Sequence, residues 1–183
     1  SPLRQQLLSA FIKENGLPES EPIAEIMLNA WQLPQREMQY AAMIVMQKLI
    51  KKLPHTAIEL FEQLILEKSW WDSIDFIAPN LVGVHFQCFP EIRDETVTKW
   101  MLSGNFWLQR SCLIFQLKYK EQTDEALLFE LCRQLAGEKE FFIRKAIGWA
   151  LRQYARTAPQ AVKHFVDNTD LQPLSKREAL KHF

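Results

Sequence analysis

The chain has 183 residues, 48% of them apolar and 24% charged, and its 22 basic and 22 acidic side chains leave no net charge. That length and balance suit a globular fold with a sizeable core. They exclude a membrane-spanning helix, since no apolar run approaches the ~20 residues required, and overall neutrality argues against a strong non-specific binder of nucleic acid.

The sequence predicts helices throughout, at 3–14, 21–32, 35–52, 55–67, 70–86, 91–102, 105–119, 123–136, 140–156, 159–167 and 173–182. Prolines such as Pro18, Pro22, Pro34, Pro54, Pro90 and Pro173 fall where a helix should begin or end. Pro79 falls inside one and should kink or split it. Period-2 alternation is absent, so a sheet is not expected. In the helix over 70–86, Trp70, Ile74, Ile77, Leu81 and Val84 form one apolar stripe, which assigns Trp70 to the core. Trp71 and Asp75 are an i, i+4 pair on a neighbouring face, so a ring and a carboxylate should project side by side, beyond what a core needs.

The helices also look repeated. Gln39-Tyr40-Ala41-Ala42, Asp75-Phe76-Ile77-Ala78, Arg110-Ser111-Cys112-Leu113 and Arg144-Lys145-Ala146-Ile147 each open an apolar half-helix with a polar residue, at steps of 36, 35 and 34 residues. Two helices per unit at that period is the signature of a HEAT-like solenoid. On this alignment Gln39, Asp75, Arg110 and Arg144 follow one another along one face. The third unit sets Trp107, read as core, three residues before Arg110, which can donate a bidentate hydrogen bond to phosphate or pair with a neighbouring acid.

The fourth unit, Glu140 to Arg156, carries two stripes. Ile143, Ala146, Ile147, Ala150 and Tyr154 make a core stripe. Phe142, Lys145, Trp149, Arg152 and Arg156 make a second in which aromatics interleave with bases. Gly148 beside Trp149 costs helix stability of roughly 1 kcal/mol relative to alanine, which points to close approach of something at that turn. Charge is uneven as well. Residues 1–95 balance at −5, residues 96–138 at zero and residues 139–183 at +5, a local field that a polyanion could use.

Asp72 and Asp75 lack a third ligand for a metal. A carboxylate beside an indole better suits the stabilisation of positive charge, by Coulomb attraction and by the ring face. The four histidines make no metal-binding spacing, and there is neither a GxGxxG nor a P-loop, so no metal and no cofactor is expected. Cys88, Cys112 and Cys132 lack metal or redox spacing and read as reduced packing residues of a cytoplasmic protein. No secretory signal is visible, and because the chain opens mid-pattern with Ser1-Pro2-Leu3-Arg4, a native amino terminus is expected further upstream.

Five runs carry a family resemblance: Leu33-Pro34-Gln35-Arg36-Glu37-Met38-Gln39-Tyr40-Ala41-Ala42, Lys68-Ser69-Trp70-Trp71-Asp72-Ser73-Ile74-Asp75, Trp107-Leu108-Gln109-Arg110, Phe141-Phe142-Ile143-Arg144-Lys145-Ala146-Ile147-Gly148-Trp149 and Pro173-Leu174-Ser175-Lys176-Arg177-Glu178-Ala179. In order and spacing they resemble the DNA alkylation repair family of HEAT-like repeat alkylpurine DNA glycosylases, the AlkD type. The resemblance implies an all-α fold, one HEAT-like repeat domain over residues 1–183 stacked into a curved α-solenoid, with further helices upstream of Ser1. It implies a partner, duplex DNA containing alkylated purines, and hydrolysis of the N-glycosidic bond of cationic N3- or N7-alkylated purines to leave an abasic site, without flipping the base. The catalytic carboxylate would fall on Asp75, its aromatic companions on Trp71 and Trp149, and DNA contacts on Arg110, with Arg144, Lys145 and Arg152 contributing a basic surface. A monomer without metal or membrane association is expected. Two alternatives stand beside this reading: a non-catalytic HEAT-repeat binder of damaged or branched DNA, and a protein-interaction scaffold, the commonest use of helical repeats.

Overall fold

A computed structural model of the protein describes residues 2–18 and 23–183, so the predicted start of the second helix, with Pro22, lies outside the described residues. The fold is all-helical, with no strand among the described residues. The helices are α1 (Pro2–Asn15), α2 (Ile23–Gln32), α3 (Arg36–Leu49), α4 (Ala57–Leu66), α5 (Trp71–Ile77), α6 (Gly83–Cys88), α7 (Arg93–Leu102), α8 (Phe106–Ile114), α9 (Glu125–Gln134), α10 (Phe141–Tyr154), α11 (Pro159–Asp167) and α12 (Pro173–Ala179).

Local chemistry sets these boundaries. The Asn105 side chain accepts from the N–H groups of Trp107 (2.9 Å) and Leu108 (3.2 Å) to open α8. Asp124 and Glu140 accept in the same way at the starts of α9 and α10. Pro159 and Pro173 stand at the first position of α11 and α12, where a missing N–H costs nothing. The predicted helix over 35–52 tightens into a 3₁₀ turn at Ile50–Lys52, and that over 105–119 ends early at Ile114. Pro79 has no N–H to give to the carbonyl of Asp75 four residues back. The predicted split there takes the form of a π-helical turn over Ala78–Val82, with the Gly83 N–H reaching the Ala78 carbonyl.

The repeat period appears as a ladder of hydrogen bonds between successive units. Trp31 donates its ring N–H to the Glu67 carbonyl at 2.9 Å, 36 residues away, and Tyr119 donates to the Gly83 carbonyl at 2.6 Å across the same interval. Gln87 reaches Gln122 across 35 residues and Lys99 reaches Glu62 across 37. Like positions in neighbouring units are therefore spatial neighbours, as in an α-solenoid of helical repeats. One continuous core runs through the stack, with Trp31, Phe61, Trp100 and Phe115 fully buried.

Two glycines let helices approach closely. A Cβ on Gly83 would lie 2.3 Å from the Phe115 carbonyl oxygen, and one on Gly148 would lie 2.4 Å from the Cβ of Glu178. What approaches Gly148 is thus α12, which packs across α10. Cys112 and Cys132 are buried in the core, and desolvation raises both thiols well above their usual range. Cys88 is exposed rather than a packing residue.

Candidate active site

The turn between α4 and α5 positions the tryptophan pair. Lys68 sits at φ +51, a left-handed conformation that reverses the chain after α4. Its ammonium donates to the carbonyls of Gln32 (2.8 Å) and Leu33 (3.0 Å) at the carboxyl end of α2, where the helix dipole favours a cation. The bond from Trp31 to the Glu67 carbonyl holds the same turn. Trp70 follows in extended backbone as the residue preceding α5. The core assignment of Trp70 is therefore corrected: it is 51% exposed, because the helical stripe starts only at Ile74 and an extended residue before a helix does not share that helix's phase. Ile74, Ile77 and Leu81 are buried as the stripe requires.

Asp75, one turn into α5, faces a cleft of about 450 Å³ between α5, α8, α10 and α12. Arg110 of α8 grips it from beneath, with Nε to Oδ1 at 2.8 Å and Nη2 to Oδ2 at 2.9 Å. The third arm of Arg110 donates to the backbone carbonyl of Phe142 at the start of α10. Arg110 is thus buried, with its guanidinium shared between α5 and α10. The predicted i, i+4 pairing of Trp71 with Asp75 holds to the extent that both line the cleft. Burial raises the Asp75 carboxyl above its ordinary value, and the charge and hydrogen bonds of Arg110 oppose that rise.

Aromatic rings form the rest of the wall. Trp70, Trp71, Phe141, Phe142 and Trp149 all line the cleft. Trp70 meets Phe142 edge-on at 6.3 Å between centroids, and Phe141 meets it at 5.4 Å. Trp107, buried as predicted, backs Phe142 from below at 4.9 Å. Half-exposed rings gathered round a carboxylate make a surface suited to a flat cation.

Lys145 and Arg152 stand on α10 four residues before and three after Trp149. Both are held by Glu178 of α12, at 3.1 Å and 2.7 Å. Hydrogen bonds from Arg152 and then Lys145 keep the Glu178 carboxyl below its usual range. The basic-aromatic stripe is realised by Phe142, Lys145, Trp149 and Arg152, whereas Arg156 lines neighbouring surface clefts instead. Of the predicted row, only Asp75 and Arg110 meet. Gln39 is buried against Arg36 and the Trp31 carbonyl, and Arg144 lies outside the cleft.

Trp70, Phe141 and Glu178 belong to the site without having been singled out from the sequence. The first two adjoin assigned positions. The signal toward Glu178 was indirect: the cost of Gly148 in a helix pointed to close approach of something at that turn, and what comes there is α12 with Glu178. Asp72, the other acid of α5, points away from this cleft to Arg36 and Tyr40 of α3. Among the described residues no group of three His, Cys, Asp or Glu side chains is placed to hold a metal ion, and no helix is long and apolar enough to cross a membrane.

The stacked helices, with an aromatic-walled cleft around an arginine-held carboxylate, make this a helical-repeat α-solenoid protein with a surface chemically suited to a cationic group. Within that class, the DNA alkylation repair enzyme profile matches residues 1–183, and the chain belongs to this family. Among solved structures it is similar to a predicted DNA alkylation repair enzyme from Enterococcus faecalis, at 31% identity and a TM-score of 0.91, over 100% of this chain and 85% of that one. No curated protein matches the chain. Family membership gives the protein a role in the repair of alkylated DNA.

Proposed function

We propose that the protein is a monofunctional DNA glycosylase that hydrolyses the N-glycosidic bond of cationic N3- or N7-alkylated purines in duplex DNA. The observation that carries this reading is the position of Asp75, a fixed carboxylate opening onto a cleft walled by Trp71 and Trp149.

Alkylation at N3 or N7 already makes the purine a cationic leaving group, so its departure needs no strong general acid. As the bond to C1′ lengthens, positive charge moves from base to sugar. An ionised Asp75 stabilises that oxocarbenium-like state and orients the water that attacks C1′, taking up its proton as the sugar–oxygen bond forms. Arg110 contributes as a positioning residue. With two bonds to Asp75 and a third to the Phe142 carbonyl, it fixes the carboxylate relative to α10, where Trp149 stands. The indole faces of Trp71 and Trp149 attract the cationic base and sugar and exclude bulk water.

Lys145, the lysine of the cleft wall, is engaged by Glu178 rather than free to attack the sugar, which favours base release without an imine intermediate or strand cleavage. Lys145 and Arg152 retain N–H donors for flanking phosphates. An open cleft on the side of a repeat stack suits a lesion approached in the duplex rather than a base swallowed into a closed pocket. The test is incubation with a duplex carrying one N7-methylguanine, following release of the free base by chromatography. Release that disappears in Asp75→Asn supports the proposal. Full activity in that variant overturns the role of Asp75, and no release by the wild-type chain overturns the glycosylase reading.

A further inference from the structure

The cleft contains a second carboxylate that the proposed chemistry does not use. Glu178 reaches the wall from α12, with its side chain 14% exposed, and it binds Lys145 at 3.1 Å and Arg152 at 2.7 Å. Arg152 also donates to the backbone carbonyl of Glu178 at 3.1 Å. The approach is built in: Glu178's own Cβ occupies the space that a side chain at position 148 would fill, so Gly148 is what admits it. The two cations it holds flank Trp149 on the same helix, and all four residues line the cleft.

The charges around the cleft then fall into two groups. Asp75, facing the cleft, and Arg110 beneath it form a pair without net charge at the floor. Beside Trp149 stand two positive charges and one negative, and the negative one is Glu178. A positively charged base seated against Trp149 would meet Lys145 and Arg152 nearly bare if Glu178 were neutral. A neutral base would not be affected in that way, while the phosphate backbone would be drawn in more strongly.

We infer that Glu178 is a specificity-determining residue: by neutralising part of the charge of Lys145 and Arg152 it lets a basic, DNA-facing wall accept a cationic lesion in preference to an ordinary purine. This rests on the glycosylase reading for the identity of the lesion. The same pair of bonds also docks α12 on α10, and the test must separate the two roles.

The experiment measures dissociation constants of the full chain for two duplexes, one with a hydrolysis-resistant 2′-fluoro N7-methylguanosine and one with guanosine at the same position. In Glu178→Gln the preference for the cationic base is expected to fall by roughly 5-fold, while affinity for the unmodified duplex holds or rises and becomes more dependent on salt. Adding Lys145→Gln in the double variant should restore the preference, because it removes the uncompensated charge without rebuilding the helix contact. Lys145→Gln alone, which leaves Glu178 in place, should sharpen the preference by a similar factor, and it supplies the test if Glu178→Gln fails to fold. An unchanged preference in both single variants overturns the inference. A loss in Glu178→Gln that the double variant does not restore also overturns it and leaves Glu178 a docking residue. Base release from the hydrolysable duplex is followed in parallel. Glu178-dependent preference without release would sink the glycosylase reading and leave this inference standing.

Discussion

Asp72 and Asp75 stand one turn apart on α5, and each is bound by an arginine from a neighbouring unit, yet they are different instruments. Asp72 looks back 36 residues to Arg36 and also receives the hydroxyl of Tyr40. Asp75 looks forward 35 residues, where Arg110 takes both of its oxygens. Burial raises both carboxyls. At Asp72 the bonds from Tyr40 and Arg36 outweigh burial and hold the group below its ordinary range, whereas at Asp75 burial wins and the group is held above it. The difference comes from burial and from the further donors. Asp72 is the less buried of the two and gains the Tyr40 hydroxyl and the Ser73 backbone N–H besides its arginine, while Asp75 is buried among indoles and phenyl rings with Arg110 as the group that opposes its burial. Two acid–arginine pairs of like construction on one helix thus shift in opposite directions, according to how deeply the acid is buried and how many further donors reach it.

The largest expected effect falls on Asp75. Asp75→Asn should lower release of N7-methylguanine by at least about 100-fold with duplex binding retained, the size expected when a fixed charge facing a developing cation is removed. The wild-type rate should rise with pH along an acid limb whose midpoint lies above that of an ordinary aspartate, because only ionised Asp75 works and burial favours its protonated form. Arg110→Gln removes the opposing cation, so the limb should move to higher pH. That variant also leaves a buried carboxylate without its partner, and about 3–5 kcal/mol of stability should be lost, read as a drop in melting temperature. An unmoved limb would mean that another group titrates.

Smaller effects distinguish the cleft walls. Trp149→Ala and Trp71→Ala should each slow base release by roughly 10-fold, through lost contact with the cation and admission of water. Trp70→Ala tests whether the exposed ring outside α5 shares this role; a smaller loss, about 3-fold, is expected because Trp70 meets Phe142 rather than lying against Asp75. Gly148→Ala should destabilise by about 1–3 kcal/mol despite the better helix propensity of alanine, since its Cβ would sit 2.4 Å from that of Glu178.

The period-35 ladder was legible because each unit buries the same face, and burial writes itself into apolar spacing. Trp71, Asp75 and Trp149 were legible for the converse reason, as residues a core does not require. Trp70 was misread because its phase was borrowed from a helix that begins one residue later, and cap geometry is not encoded in periodicity. The sequence left open whether Arg110 turns outward to phosphate or inward to an acid. Spacing along a helix places a side chain on a face but says nothing about which partner the next unit brings to it. Gly148 signalled that something comes close at its turn but not that it is Glu178, whose partners lie 33 and 26 residues away in a helix that only packing brings near.

The finest contrast is in acid stability. Asp72 is depressed in the fold, so its contribution is complete above the unfolded aspartate value of about 3.9 and is lost as pH falls through its lower folded value. Asp75 is raised, so its protonated form is favoured in the fold, and its contribution to stability shrinks as pH rises from the unfolded value through the folded one. Asp72→Asn should therefore cost about 1 kcal/mol near neutral pH, the scale of a partly exposed ion pair, and the cost should vanish in strong acid where wild-type Asp72 is itself protonated. Melting temperatures from pH 7 down to about pH 2.5 would follow this directly. Curves for wild type and Asp72→Asn that stay parallel across the range would show that Arg36 and Tyr40 serve Asp72 by shape rather than by charge, and the contrast between the two acids would then rest on Asp75 alone.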